Sequence, residues 1–385
     1  MSLFGDEIEE PVARPDDAGA VLPPADTLLE PKSSTLCLGH EEQEKLFIEL
    51  YKNNNLPHAM VFQGLKGIGK TTMAFRLARF LLKNGKGMDS SDGLFGGEAL
   101  PQDISSLDVA PDDPVFRRIA SGGHADLLYI HRGFDKSKGK QDNSLKVEAL
   151  RQIEPFLRKT ASEGGWRIVI IEDADTMNRN AQNAILKILE EPPAHVLIIL
   201  VTNRPGKLIP TIHSRTRKVT FDSLSADTMH TLIEKYGETL SHDDLVILND
   251  LSGGSIGEAI NYIDNGGLDI LKDVLDYMDH AHNGRVEKLH ELSARLGAPA
   301  QDKEYRLFIH IMQWVYRKML FLKARNKTDL PAYLERPVTQ AIIGSQSLES
   351  ILKTCDSLQA HFERIEFSNL DRRDAVRSAF LMINE

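Results

Sequence analysis

Residues 64–72 of this 385-residue chain, GLKGIGKTT, carry its densest chemistry. Gly64, Gly69, Lys70 and Thr71 fill the G-x-x-x-x-G-K-[ST] pattern of a phosphate-binding loop. Glycines let a backbone wrap closely around phosphate, and the helix that follows presents unpaired N–H groups at a positive dipole end. In such a loop Lys70 reaches the β and γ phosphates, and Thr71 offers its hydroxyl to a magnesium ion. Leu65, Lys66, Gly67, Ile68 and Thr72 complete the cradle. The expected ligand is ATP with Mg2+.

A second group of candidates lies about a hundred residues on. The run RIVIIEDAD reads as a buried strand ending in Glu172 and Asp173, where open α/β sheets place their ligand chemistry. One carboxylate would hold the metal, directly or through water, and the other would orient a water for attack on the γ phosphate. Glu172 is assigned to the metal with Thr71. The next strand ends in Thr202-Asn203, whose amide can position the attacking water or contact the γ phosphate. Ser214-Arg215-Thr216 follows, and an exposed arginine there can serve a phosphate bound by a neighbouring subunit.

Alternating strands and helices must hold these residues. Strands are expected at 59–63, 127–130, 167–171, 196–201 and 219–221. They are short apolar runs between amphipathic helices, which indicates an α/β fold with a mostly parallel sheet covered on both faces. The clearest helix spans 181–190, with Ala181, Ala184, Ile185, Ile188 and Leu189 on one stripe. Asn178 suits its N-cap, and Pro192-Pro193 stop it. Residues 84–115 and the lysine-bearing stretch 133–143 read as surface loops.

Four regions are expected: an acidic disordered tail at 1–34, a P-loop domain at 35–222, a small helical lid at 223–268, and an all-helical domain at 269–385. The last carries an apolar stripe at Phe308, Ile311, Met312, Val315, Met319 and Leu322. A second stripe runs through Leu348, Ile351, Leu352, Cys355 and Leu358. Net charge is −10, from 46 basic and 56 acidic residues, which argues against a self-sufficient nucleic-acid binder. Local contacts through Lys136, Lys138, Lys140, Arg179 or Arg204 stay open. The two cysteines, Cys37 and Cys355, form no C-x-x-C pair, so neither a disulfide framework nor a zinc site is expected. No membrane span or secretory signal is visible, and a reducing cytoplasmic setting is expected.

Taken together, GLKGIGKTT, the acidic strand, NAILKILEEPP, the Thr-Asn strand end and HSRTR resemble the AAA+ module of bacterial DNA polymerase III clamp-loader subunits. LPHAMVFQG, KVEALRQI and NLDRRDAVRSAF are similar to the delta-prime type within that family, and the likeness covers roughly residues 36–385. The resemblance implies a AAA+ unit, a lid and a helical collar that joins this chain to delta and tau/gamma subunits. It implies a part in placing a sliding clamp on primer-template DNA, as a component of a DNA-directed DNA polymerase, with Arg215 acting on ATP held next door. The alternative within the family is a tau/gamma-type motor ATPase. Three departures stand out. The acidic pair is Glu172-Asp173 where motor subunits carry Asp-Glu, Thr216 replaces a cysteine, and Gly257 occupies the lid position usually held by arginine. The first and third imply that this chain's own ATP hydrolysis is weak or absent, through a shorter base and a missing cation at the γ phosphate, while the second leaves the arginine's charge in place.

Overall fold

The computed structural model describes residues 30–85, 104–135, 140–162, 165–282, 287–298, 301–326, 330–368 and 371–382. Helix α1 (Glu41–Lys52) precedes strand β1 (Ala59–Gln63), and α2 (Lys70–Asn84) follows the glycine loop at once. Next come α3 (Pro114–Ala120), β2 (Leu127–Ile130), a hairpin of β3 (Phe134–Asp135) and β4 (Lys140–Gln141), and the short helices α4 (Val147–Arg151) and α5 (Ile153–Leu157). Then β5 (Arg167–Ile171), α6 (Arg179–Glu190), β6 (Val196–Thr202), α7 (Pro210–His213) and β7 (Arg217–Thr220) complete the sheet.

The five-stranded sheet has the order β2-β5-β6-β1-β7, and every pairing is parallel. Its central strands alternate between two cores. Met60, Phe62, Ile168, Ile170, Leu197 and Ile199 pack with α1 and α2. Ala59, Val61, Val169, Ile171, Ile198 and Leu200 pack under α4, α6 and α7. Burial on both faces is why these strands read as continuous apolar runs. The result is the expected α/β sheet, parallel throughout and covered by helices on both faces, with the glycine loop leaving the carboxyl end of β1.

The edges depart from the expected spans. β7 covers 217–220, not 219–221, because pairing with β1 draws Arg217 and Lys218 into the ladder. An edge strand tolerates such exposed charge, so an apolar run does not mark it. α6 starts two residues earlier than expected, at Arg179, with Asn178 Oδ1 accepting from the Ala181 amide at 2.9 Å. The hairpin β3–β4 interrupts the stretch expected to be loop, while Lys136 and Lys138 lie outside the described residues. Within the acidic N-terminal segment, residues 30–34 lie against α2, where buried Arg79 donates to the carbonyls of Lys32 at 3.1 Å and Ser34 at 2.8 Å. Residues 1–29 lie outside the described set.

Helices build the rest: α8 (Ala226–Tyr236), α9 (His242–Ser252), α10 (Ile256–Asp264), α11 (Gly267–His282), α12 (Glu287–Leu296), α13 (Asp302–Ala324), α14 (Pro337–Ser345), α15 (Leu348–Ser368) and α16 (Arg372–Leu381). One apolar core runs through them from Leu224 to Phe380 and takes in the whole first stripe of α13. The second stripe divides. Ile351 and Leu358 are buried, but Leu348 and Leu352 stand about half exposed. Among the described residues no helix is long and apolar enough to cross a membrane.

Candidate nucleotide site

β1 ends at Gln63 and the glycine loop turns directly into α2. Gly64 adopts φ 155°, and a Cβ there would lie 2.3 Å from the Phe221 carbonyl oxygen. Only glycine fits that approach. Beneath the loop, the buried imidazole of His40 donates from Nε2 to the Ile68 carbonyl at 2.6 Å. Burial holds His40 below the ordinary imidazole value, so it remains a neutral donor. Ile68 is buried and Leu65 is exposed.

Lys70 is buried to 3% exposure. Its ammonium donates to Gly64 O at 3.0 Å, to Leu65 O, and to Asn203 Oδ1 at 2.8 Å. Burial pushes its pKa down to about 8, against the opposing pull of Asp173, Asp175 and Glu172. This is a cation held in low dielectric at the mouth of a helix, which favours an incoming phosphate strongly.

The acidic strand meets the loop where the sequence placed it. Glu172 Oε1 accepts from the Thr71 hydroxyl at 2.9 Å, and Oε2 accepts from the phenol of Tyr129 on β2. Asp173, in the left-handed region at φ 50°, has both oxygens engaged as well. Oδ2 accepts from the Arg132 fork at 2.8 and 2.7 Å, and Oδ1 accepts from Asn203 Nδ2 at 3.1 Å. Asn203 therefore bridges Lys70 and Asp173. Its own backbone is fixed by Asp175, which accepts from the Asn203 amide at 3.0 Å and from Thr202 Oγ1 at 3.1 Å.

Arg215 is not part of this cluster. It precedes β7, whose register aligns Met60 with Arg217 and Gln63 with Thr220. Arg215 is thus level with His58, at the amino end of the sheet, whereas Gly64 lies beyond its carboxyl end. About six extended residues separate those levels, roughly 20 Å at the rise of a strand. The Arg215 guanidinium pairs with Glu190 Oε1 at 2.8 Å and donates to Thr211 O at 3.0 Å, leaving the side chain about one-third exposed. Nearby, His58 Nε2 donates to the Leu189 carbonyl at 3.0 Å. Gln182 ties α6 to the chain leading to Arg215, donating to Lys207 O at 3.1 Å and accepting from the Ile209 amide at 2.8 Å.

Comparison with known proteins bears on this arrangement. Residues 105–225 match the family described as DNA polymerase III, delta subunit. Over 217 residues the chain is 31% identical to the delta' subunit of DNA polymerase III from Escherichia coli, covering 56% of this chain and 57% of that protein. It is 30% identical over 180 residues to the Bacillus subtilis delta' subunit, covering 47% and 46%. The gamma subunit from Buchnera aphidicola is 24% identical over 296 residues, covering 76% and 70%. The chain is thus similar to clamp-loader subunits of DNA polymerase III of both the delta' and the gamma kind. Its matches span about half the length of these delta' relatives.

The helical segment expected as a lid rests on the glycine loop itself. The Gly257 amide donates to Gly67 O at 2.9 Å, and Ser255, the N-cap of α10, donates from its hydroxyl to Lys66 O at 2.7 Å. Lys66 pairs with Glu258 at 3.1 Å across the same junction. A Cβ on Gly257 would lie 2.9 Å from the Gly67 Cα, which accounts for glycine where the resemblance places arginine.

Sequence reasoning missed Tyr129, Arg132, His40, Asp175 and Ser255. A signal existed for two of them, since Tyr129 and Arg132 bracket the carboxyl end of a strand beside the acidic one. His40 and Ser255 reach the loop only through tertiary packing. The lid contact yields a prediction. Gly257→Ala forces α10 away from Gly67 and is expected to cost about 1–3 kcal/mol. Urea denaturation measures it, and an unchanged midpoint would show that the two glycines do not support each other.

Proposed function

We propose that this chain is a delta-prime-type subunit of the DNA polymerase III clamp loader. It binds ATP with Mg2+ on its own loop, hydrolyses it slowly if at all, and lends Arg215 to the nucleotide of an adjacent subunit. It assembles with delta and tau/gamma subunits through the AAA+ faces and the C-terminal helical collar at 269–385, and the assembly loads the sliding clamp onto primed DNA in the cytoplasm.

The observation that carries this reading is the position of Arg215, at the sheet end opposite its own loop and braced by Glu190 at 2.8 Å. An arginine so placed cannot serve its own phosphates, but it can present a fixed cation to another chain. For the local nucleotide, the residues fit the group. The amides of residues 65–71 and the Lys70 ammonium would hold phosphate, and Thr71 with Glu172 would hold the metal. Mg2+ held there would supply neutralisation of phosphate charge. The reading of slow turnover is supported by Asp173, whose oxygens an attacking water would have to share with Arg132 and Asn203. One observation favours the tau/gamma motor as second reading, the match to the Buchnera gamma subunit over 70% of that protein. DNA-stimulated turnover by the isolated chain, abolished by Lys70→Ala, would select it.

Two outcomes are expected. In the reconstituted assembly, Arg215→Ala lowers ATPase activity by at least about tenfold at the site it serves, with assembly intact. Unchanged ATPase would remove the trans-acting arginine. The second concerns pH. The free Lys70 pKa is about 8, and bound phosphates raise it. Below pH 8 the group is charged in both states and affinity is flat. Above it, binding requires proton uptake, so affinity falls by about tenfold per pH unit until the bound-state pKa is reached. Isothermal titration in buffers of different ionisation enthalpy tests this, and a flat profile up to about pH 9.5 would contradict it.

A further inference from the structure

The structure assigns to Tyr129 the positioning of Glu172: its phenol holds one carboxylate oxygen so that the other faces Thr71, presetting the magnesium side of the site. This rests on the nucleotide reading above and adds a residue to it. The motive is the length of Glu172. The resemblance puts the shorter aspartate at this position, and the extra methylene gives glutamate one more torsion to order. Sterics alone do not order it. Glu172 lines a cleft of about 640 Å³ together with Glu30, Lys32, His124 and His131. The carboxylate therefore has room to swing away from the phosphate loop.

Two hydrogen bonds oppose that swing. Thr71 donates to Oε1 at 2.9 Å and Tyr129 donates to Oε2. The Tyr129 ring is itself held, edge-on to Phe75 with centroids 5.0 Å apart and against His131 at 4.9 Å. Thr71 and Phe75 stand four residues apart on α2, so they share one face of that helix. Helix, carboxylate and phenol thus close a loop that starts and ends on α2. Burial and the Glu172 charge raise the phenol above its ordinary value, which keeps it a donor throughout the working pH range. Without the hydroxyl, Thr71 alone would have to hold a three-torsion side chain beside an open cleft.

The test is binding of a fluorescent ATP analogue to the full chain, measured in EDTA and across a magnesium chloride titration. Wild type, Tyr129→Phe, Glu172→Asp and the double variant are compared. Tyr129→Phe keeps the ring against Phe75, and an unchanged melting curve verifies that. In Tyr129→Phe the magnesium concentration giving half-maximal enhancement is expected to rise about fivefold to tenfold, with affinity in EDTA unchanged. In the Glu172→Asp background the same change has no effect, because aspartate is too short to reach the phenol. Wild-type magnesium dependence in Tyr129→Phe overturns the inference, as does an equal loss in EDTA or an effect of Tyr129→Phe that persists in the double variant. Failure of the wild type to bind the analogue under any condition overturns the nucleotide reading itself.

Discussion

Because β1 and β7 run parallel and in register, the chain cannot bring Gly64 and Arg215 together. Each strand has a carboxyl end and an amino end, and a parallel sheet collects all of one kind along one side. The phosphate loop, the acidic pair and Asn203 gather at the carboxyl side. The carbonyl of Leu189, Glu190, His58 and Arg215 gather toward the amino side. Chemistry that needs both sets must join two molecules. Under the proposed reading, this separation by strand direction is what leaves Arg215 available to a second, different subunit.

At the carboxyl side, electrostatics favours an incoming anion. A lysine buried to 3% exposure is costly unless anions or acceptors surround it. Carbonyls 64 and 65 and Asn203 fill that need, and phosphate would fill it better. The carboxylates, in contrast, already have donors on every oxygen. Thr71 and Tyr129 take up Glu172, while Arg132 and Asn203 take up Asp173. A water would share these oxygens with the donors already present. The lid adds a second constraint, since Gly257 and Gly67 meet backbone to backbone and exclude a cationic side chain at that point.

Much of this was legible in the residues because local chemistry dictates it. The glycine loop announces itself through spacing, and the central strands announce themselves through apolar runs that only two-sided burial explains. Asn178 as a cap and Pro192-Pro193 as a stop bound α6 within two residues. What escaped was set by neighbours distant in the chain. The first half of β7, Arg217 and Lys218, looked too charged to be strand until β1 supplied its ladder. Leu348 and Leu352 fit the helical period of α15 yet face outward, since periodicity reports a stripe and not what covers it. His40, Tyr129 and Ser255 gain meaning only when the fold carries them to the loop.

The central claim is a pocket that retains its nucleotide intact while this chain's arginine works elsewhere. Single-turnover incubation of the isolated chain with radiolabelled ATP and Mg2+, followed by separation of bound nucleotide, tests it most directly. The account predicts close to one bound nucleotide per chain, recovered as ATP after many minutes. Rapid conversion of the bound fraction to ADP, or no bound nucleotide at all, would contradict it.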